Sequence, residues 1–344
     1  MTADQAPAAR SPAQALRQIA FHLERTGAPT YRVRAFRRAA ATAGTLSPAE
    51  LGQRIKAGTL TDLAGIGPAT AAVITEAAAG QQPGYLTRLI EEFPPEPPAG
   101  LRLALRGDCH THSDASDGGS PVWEMARAAR DLGHEWIALT DHSPRLTVAN
   151  GLSAERLEAQ LDLVAKVNAE LQPFRVLTGI EVDINADGSL DQRDDLLERL
   201  EVVVASVHSK LRMPGREMTR RMVRAVSHPR VTVLGHCTGR MIAGRGRPES
   251  EFDAAEVFGA CREHGVAVEI NCRPERQDPP ARLIDLAAGL GCLFAVDTDA
   301  HAPGQLDWLQ NGCDRAAAAG ITANRVINAR TATEVSRGER GRCA

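Results

Sequence analysis

The sequence predicts an α/β chain in which a barrel of parallel strands follows a small all-helical domain. Two observations lead there. From Leu103 onward, short apolar, β-rich runs alternate with Ala/Leu-rich helical stretches, and each run leads into His, Asp, Glu or Asn. Ahead of them, residues 12–92 show helical spacing and a glycine hairpin, and a proline-rich stretch closes them off. Alternating strand and helix is the pattern of βα units around a parallel sheet, whereas helices without strands form a layer of their own. At 344 residues, two domains are the natural expectation.

Composition bounds the function. The apolar content of 43% supports a packed core, and the net charge of −3 conceals an asymmetry. Residues 1–92 carry 10 Lys/Arg against 7 Asp/Glu, and the remainder carries 30 against 36. A basic module on an acidic one places anion binding in the first part, and the acidic part suits either cation binding or a solvated surface. Seven cysteines without a Cys-x-x-Cys pair argue for a reducing cytoplasm and against a disulfide scaffold. Residues 1–10 are polar and Ala/Pro-rich rather than signal-like, and no apolar run is long enough for a membrane span.

Residues 1–11 are expected to be a flexible tail, residues 103–338 the barrel domain and residues 339–344 a second tail. Leu16, Ile19, Ala20 and Leu23 recur at helical spacing within Pro12 to Glu24, and Gly27 and Pro29 end that helix. A second helix spans Tyr31 to Ala40. Its apolar positions are 33, 36, 39 and 40, so Arg32, Arg34, Arg37 and Arg38 cover the rest as a solvated basic face or as phosphate contacts. Leu46 to Ala57 reads as a third helix. Leu60 to Ala71 then reads as helix, glycine hairpin, helix, with Gly65 and Gly67 relaxing the backbone around Ile66 and Pro68 opening the next helix. Free N–H groups at that helix start suit one backbone phosphate. Residues 93–102 form a semi-rigid proline-rich linker at the domain boundary.

Seven strand runs follow: Leu103–Cys109, Trp136–Thr140, Arg175–Ile180, Val202–Val207, Val231–Gly235, Val266–Ile270 and Leu293–Val296. They lead into His110 and His112, Asp141 and His142, Glu181, His208, His236, Asn271, and then Asp297, Asp299 and His301. Strand side chains two apart point the same way, so His110 and His112 project together as a chelating pair. In a βα barrel such strand ends converge on one mouth. Six of the ten histidines lie there; His22, His134, His228 and His264 read as surface or capping residues.

Two resemblances sharpen this reading. Residues 12–92 resemble the helix-hairpin-helix DNA-binding module and, through Tyr-Arg-Val-Arg-Ala-Phe-Arg-Arg-Ala-Ala, the N-terminal domain of bacterial family X DNA polymerases. This implies non-sequence-specific contact with the DNA backbone through Gly65, Ile66, Gly67, Arg34, Arg37 and Arg38. Relatives with lyase activity carry a lysine in the helix after the hairpin; here Ala69 to Ala78 has none and Val73 stands in that place, so no lyase activity is expected.

Residues 104–335 resemble the polymerase and histidinol phosphatase (PHP) family. The matching motifs are Asp-x-His-x-His-Ser with Ser-Asp-Gly, Leu-Thr-Asp-His, Gly-Ile-Glu, Ser-Val-His, Leu-Gly-His, Glu-Ile-Asn and Thr-Asp-Ala-His. The resemblance implies a distorted (βα)7 barrel of PHP type with two or three divalent ions held by His110, His112, Asp117, His142, Glu181, His208, His236, Asp299 and His301. His110, His112, Glu181 and Asp299 would hold one ion, Glu181, His208 and His236 a second, and Asp117, His142 and His301 a third. Asp114, three residues from Asp117, competes for its place. Mixed imidazole and carboxylate donors suit zinc, manganese or iron and not calcium. Glu181 would bridge two ions, which clamp the attacking and leaving oxygens of a displacement at phosphorus.

Lys210 and Arg240, with Arg276 third, are the candidates to hold phosphate or are ordinary surface charges; Glu181, Lys210 and Arg240 form the expected catalytic set. Asp108 and Asp141 are expected to orient imidazoles. Asn271 would orient substrate or water, or cap a loop, and Cys109 and Cys237 would point away.

The expectation is a cytoplasmic metal-dependent phosphoesterase acting on DNA ends in repair, as a 3′–5′ exonuclease or by removing 3′-end phosphate. A short linker stands where relatives with both halves carry a nucleotidyltransferase region, so polymerase activity is not expected. The alternatives are a small-molecule phosphomonoesterase, such as one acting on histidinol phosphate, and a non-catalytic DNA-binding scaffold.

Overall fold

The computed structural model describes residues 11–336, so residues 1–10, the expected tail at 339–344 and Cys343 lie outside the described residues. The chain divides into two compact units between Pro97 and Pro98, within the proline-rich stretch.

The smaller unit contains α1 (Pro12–Arg25), α2 (Thr30–Thr45), α3 (Pro48–Ala57), α4 (Pro68–Ala78) and α5 (Gly84–Glu92). Ser11 starts α1 instead of belonging to a tail. Its Oγ accepts from the Gln14 N–H (3.3 Å), its own N–H donates to Gln14 Oε1 (2.9 Å), and Pro12 takes the first helical position. Leu16, Ile19 and Leu23 of α1 are buried with Phe36, Ala39 and Ala40 of α2, Val73 and Ile74 of α4, and Leu86 of α5. His22 shares the face of Ala15 and Ile19 and is buried, contrary to the surface position expected of it. The helix expected before the hairpin is only a 3₁₀ turn, Leu60–Asp62. Gly58 and Gly65, both left-handed (φ 69° and 86°), leave too little chain between them for more.

The larger unit is a nearly closed barrel. Its strands are β1 (Gly107–Thr111), β2 (Trp136–Leu139), β3 (Arg175–Asp183), β4 (Val202–Ser206), β5 (Val233–Leu234), β6 (Ala267–Asn271) and β7 (Phe294–Asp297), in chain order and all parallel. The helices α6 (Val122–Asp131), α7 (Ala154–Leu171), α8 (Asp194–Leu197), α9 (Gly215–Val226), α10 (Ala254–His264), α11 (Ala281–Gly289), α12 (Leu309–Ala318) and α13 (Ala332–Ser336) complete it. A buried Asn328 side chain joins β1 and β7. Its Oδ1 accepts from the Val296 N–H (2.8 Å), and its Nδ2 donates to Gly107 O (3.1 Å) and Asp297 Oδ1 (2.8 Å).

The first strand begins later than expected. Leu101, Leu103 and Leu105 alternate like a strand, but Gly100–Ala104 is a 3₁₀ helix that leaves Leu103 72% exposed. Within the barrel, Leu177, Val202, Val204, Val233, Ala267 and Ala295 form one buried cluster. The two-residue strand period then puts Glu181, Glu269 and Asp297 on those same faces, nearer the C-terminal ends. Polar chemistry therefore sits on an apolar floor.

His134 is also buried, with Nε2 3.1 Å from Arg102 Nη2. Burial, aided by Arg102, pushes its pKa down to about 3 from 6.5. Between those values the unfolded chain holds a proton there that the folded chain refuses, so stability falls as the pH falls through that window. His134→Gln, which retains an acceptor for Arg102, is expected to flatten the slope of unfolding free energy between about pH 6.5 and 3. Urea titrations of both proteins across that range check this, and identical slopes contradict it.

Candidate metal centre

The strand ends build the site from opposite sides. His110 lies one residue before the end of β1 and His112 just beyond it, their rings 5.1 Å apart. The chain after β2 carries His142, which bridges to Glu181 in β3 as a parallel pair. His208 follows β4, His236 follows β5, and Asp299 and His301 follow β7. All nine residues of the implied ligand set come together.

Glu181 lies at the middle, fully buried. Its carboxylate oxygens lie 3.3 Å from His110 Nε2, 3.6 Å from His112 Nε2, 2.8 Å from His142 Nδ1, 3.2 Å from His208 Nε2 and 3.0 Å from His236 Nε2. Asp299 Oδ1 lies 3.4 Å from His112 Nε2. Asp117 Oδ1 lies 3.5 Å from His142 Nε2 and 3.4 Å from His301 Nε2, while Asp114 belongs to none of the donor clusters.

Three groups offer donor atoms within 4.8 Å of one another: His110, His112 and Glu181; His142, Glu181 and His208; and His112, Asp117, His142 and His301. Against the expected partition, His112 and His142 each serve two groups. The donor set fits divalent transition metals. His110 Nε2, both nitrogens of His112, His142 Nδ1 and Glu181 Oε2 are buried without a hydrogen-bond partner, a costly state that a cation at their focus relieves.

Among the protein's own groups, burial and neighbouring charges shift the residues of the site in different directions. Burial would raise Glu181, but His110, His208 and His142 hold its carboxyl well below the usual range. Burial, with His301 and His142 nearby, pushes His112 well down, so its imidazole is neutral, the form that ligates metal. Burial opposes charge on His208, yet Glu181 and Asp183 raise its pKa to about 9. Burial lifts the Asp299 carboxyl, and Arg273 and His110 more than offset it.

Two of the three expected phosphate holders lie elsewhere. Lys210 is exposed and does not line the 360 Å³ pocket over the centre. Arg240 lines a separate 680 Å³ cavity, with Nε donating to Arg276 O (3.2 Å) and Nη1 3.8 Å from Glu249. Arg276, the third candidate, does line the metal pocket, and Arg273 lines it as well. Arg273 Nη1 donates to Asp299 O (3.2 Å), and Arg276 Nε lies 3.4 Å from Asp299 Oδ2. Arg273 stands two residues past Asn271, the spacing by which Lys210 was singled out after His208, so its signal was present in the sequence.

Neither Asp108 nor Asp141 orients an imidazole. Asp108 accepts from the His110 N–H (3.0 Å) and from Thr298, and burial pushes it up to about 6. Asp141 accepts from the Ser113 N–H (2.8 Å), Ser113 Oγ (2.6 Å) and Ser116, tying down the loop that carries Asp117. Two carboxylates that sequence reasoning passed over do face histidines: Asp183, 3.6 Å from His208 Nδ1, and Glu269, 2.6 Å from His110 Nδ1. Asn271 bridges, donating to Glu269 Oε2 and Asp299 Oδ2 (both 3.2 Å) and capping the Arg273 N–H. Cys109 and Cys237 are buried among apolar residues.

In the smaller unit the hairpin residues divide. Gly65 needs its left-handed backbone, whereas Gly67 is extended (φ −103°), and a Cβ there would meet nothing within 4 Å. Ile66 is buried in the core and its N–H donates to Leu63 O (3.1 Å), so it has no donor for a phosphate. The Gly67 N–H donates to Thr70 Oγ1 (2.9 Å), leaving the Ala69 and Thr70 amides of the first helical turn to face an anion. Arg37 is held in a two-pronged pair with buried Glu24 (2.8 and 2.7 Å) and faces inward. Arg34 and Arg38 are exposed, and the Arg38 methylenes lie over Gly65.

Glu181 serves two of the three donor groups, and Asp117 serves only the third. Glu181→Gln is therefore expected to retain about one tightly bound metal and Asp117→Asn to lose about one, compared with wild type by elemental analysis after dialysis. Equal metal content in all three proteins contradicts the shared-carboxylate geometry.

Comparison with known proteins places the chain. A model described as PHP domain matches residues 108–273, and one described as helix-hairpin-helix domain matches residues 8–82. A Bacillus subtilis protein named "DNA polymerase/3'-5' exonuclease PolX" is 37% identical over 231 residues, 67% of this chain and 40% of the relative. The chain thus spans about two fifths of that relative's length. A Thermoanaerobacter protein named "probable phosphatase" is 27% identical over 239 residues, 66% of this chain and 91% of the relative. Among solved structures, histidinol phosphate phosphatase from Lactococcus lactis, complexed with zinc, L-histidinol and phosphate, aligns with a TM-score of 0.49 and 19% identity over 63% of this chain and 94% of its own. The chain carries a PHP domain preceded by a helix-hairpin-helix domain.

Proposed function

We propose that this metal-dependent phosphoesterase acts on the 3′ ends of DNA, releasing terminal nucleotides or terminal phosphate, without polymerase or lyase activity. One observation carries the reading: a barrel mouth lined by metal donors and two arginines occurs on the same chain as a hairpin module whose Arg34 and Arg38 are exposed. The Bacillus subtilis relative, named for 3′–5′ exonuclease activity, supports it.

The nine donor residues would hold two or three ions of manganese, zinc or iron. When bound, these supply Lewis acidity and an activated water for attack at phosphorus. Arg273 and Arg276 neutralise and orient the phosphate oxygens, replacing Lys210 and Arg240 in that role. The hairpin amides and Arg34 and Arg38 hold the DNA backbone regardless of sequence.

A second reading, hydrolysis of a small phosphomonoester, is favoured by the pocket. Its 360 Å³ suits a small molecule, and the Thermoanaerobacter phosphatase aligns over nearly its whole length.

The test uses manganese-loaded protein with 5′-labelled DNA ending in 3′-hydroxyl or 3′-phosphate, beside a panel of small phosphomonoesters. End-processing that His110→Ala abolishes is expected. Arg34→Glu with Arg38→Glu should raise KM for DNA at least tenfold and weaken its salt dependence, with small-ester turnover unchanged. Turnover confined to small esters contradicts the DNA reading and supports the second.

A further inference from the structure

Glu269 is outside the ligand set, yet it is fully buried and touches three of the strand ends that carry it. Oε1 lies 2.6 Å from His110 Nδ1. Oε2 accepts the His236 N–H and an Asn271 Nδ2–H (3.2 Å), and the same Nδ2 reaches Asp299 Oδ2 (3.2 Å). The other nitrogen of His110, Nε2, is 3.3 Å from Glu181 and has no hydrogen-bond partner.

We propose that Glu269 is a positioning residue for the metal centre. It accepts the Nδ1 proton of His110, which holds that imidazole in the Nδ1–H tautomer with the Nε2 lone pair turned to the metal. A ligating imidazole whose far nitrogen donates to a carboxylate is fixed in rotation and made more basic. The inference rests on the metal reading of the site and is independent of the substrate.

The geometry makes the carboxylate specifically necessary. Both oxygens act as acceptors: one toward His110 and one toward two N–H donors. An amide of the same shape cannot do this. In Glu269→Gln, an NH2 turned toward His236 and Asn271 would meet donors only. The amide therefore turns its oxygen that way and its NH2 toward His110 Nδ1. His110 must then accept at Nδ1 and carry its proton on Nε2, which removes the lone pair from the metal. The change moves one proton from Nδ1 to Nε2 and leaves the ring neutral.

The test strips the full-length protein with a chelator and titrates it with Co2+. Binding is followed by visible absorption and by competition with a chelating dye. Glu269→Gln is expected to weaken one of the bound ions about 10- to 100-fold, with apo circular dichroism and thermal midpoint close to wild type. In a His110→Ala background the same substitution should change the Co2+ affinity little, since the effect passes through His110. Unchanged affinity in folded Glu269→Gln overturns the proposal, as does an undiminished effect in the His110→Ala background. Should Glu269→Gln fail to fold, the 15N imidazole spectrum of the zinc-loaded wild type decides. A proton on His110 Nδ1 supports the role, and one on Nε2 overturns it. A wild type that binds no Co2+ removes the metal reading itself, a failure distinct from the others.

Discussion

Five imidazoles converge on the buried carboxylate of Glu181, none farther than 3.6 Å. Nothing in an apolar core favours such a cluster. Several of its nitrogens have no hydrogen-bond partner, and each buried polar atom left so costs about 1–3 kcal/mol. The cost is compensated when cations occupy the focus, so metal binding and the order of this mouth are one equilibrium. The rest of the barrel serves that convergence. An apolar floor of Leu177, Val204, Val233 and Ala267 fixes the strands, and Asn328 closes the seam between β1 and β7 on which His110 and Asp299 depend.

Around that focus the carboxylates do different jobs according to depth. Asp108 lies deeper along β1 and is taken up by Thr298 and by backbone, and burial raises it to about 6. Asp141 anchors the Ser113–Ser116 loop, and Asp299 is braced by Arg273 and Arg276. Glu269 lies 2.6 Å from Nδ1 of His110, the ring nitrogen other than the one that faces Glu181. Residue type at a strand end therefore says that polar chemistry is present, and the depth along the strand decides which atom it touches.

This explains which parts of the molecule were legible in the sequence. Seven apolar runs, each leading into a ligand-type residue, are a local pattern, and all seven strands exist, although the fifth is only Val233–Leu234. The nine residues of the implied ligand set stood out because they lie at or shortly after the ends of six of these strands, all but the sixth. Contacts between distant elements were not. Lys210 and Arg240 sit near histidines in sequence, but Arg240 is drawn off by Glu249 and backbone carbonyls, and Arg273 and Arg276 fold back over Asp299. Arg37 reads like Arg34 and Arg38 on a helix, yet helical phase turns it toward Glu24. Leu103 alternates like a strand residue, while Gly100 (φ 54°) opens a 3₁₀ turn that exposes it.

The most direct measurement is anomalous diffraction from crystals of the full-length protein grown with manganese. A cation-centred barrel gives at least two anomalous peaks at the focus of His110, His112, His142, Glu181 and His208, with Glu181 bound to both. Peaks confined to surface carboxylates, with the buried imidazoles unchanged and the focus empty, would contradict it.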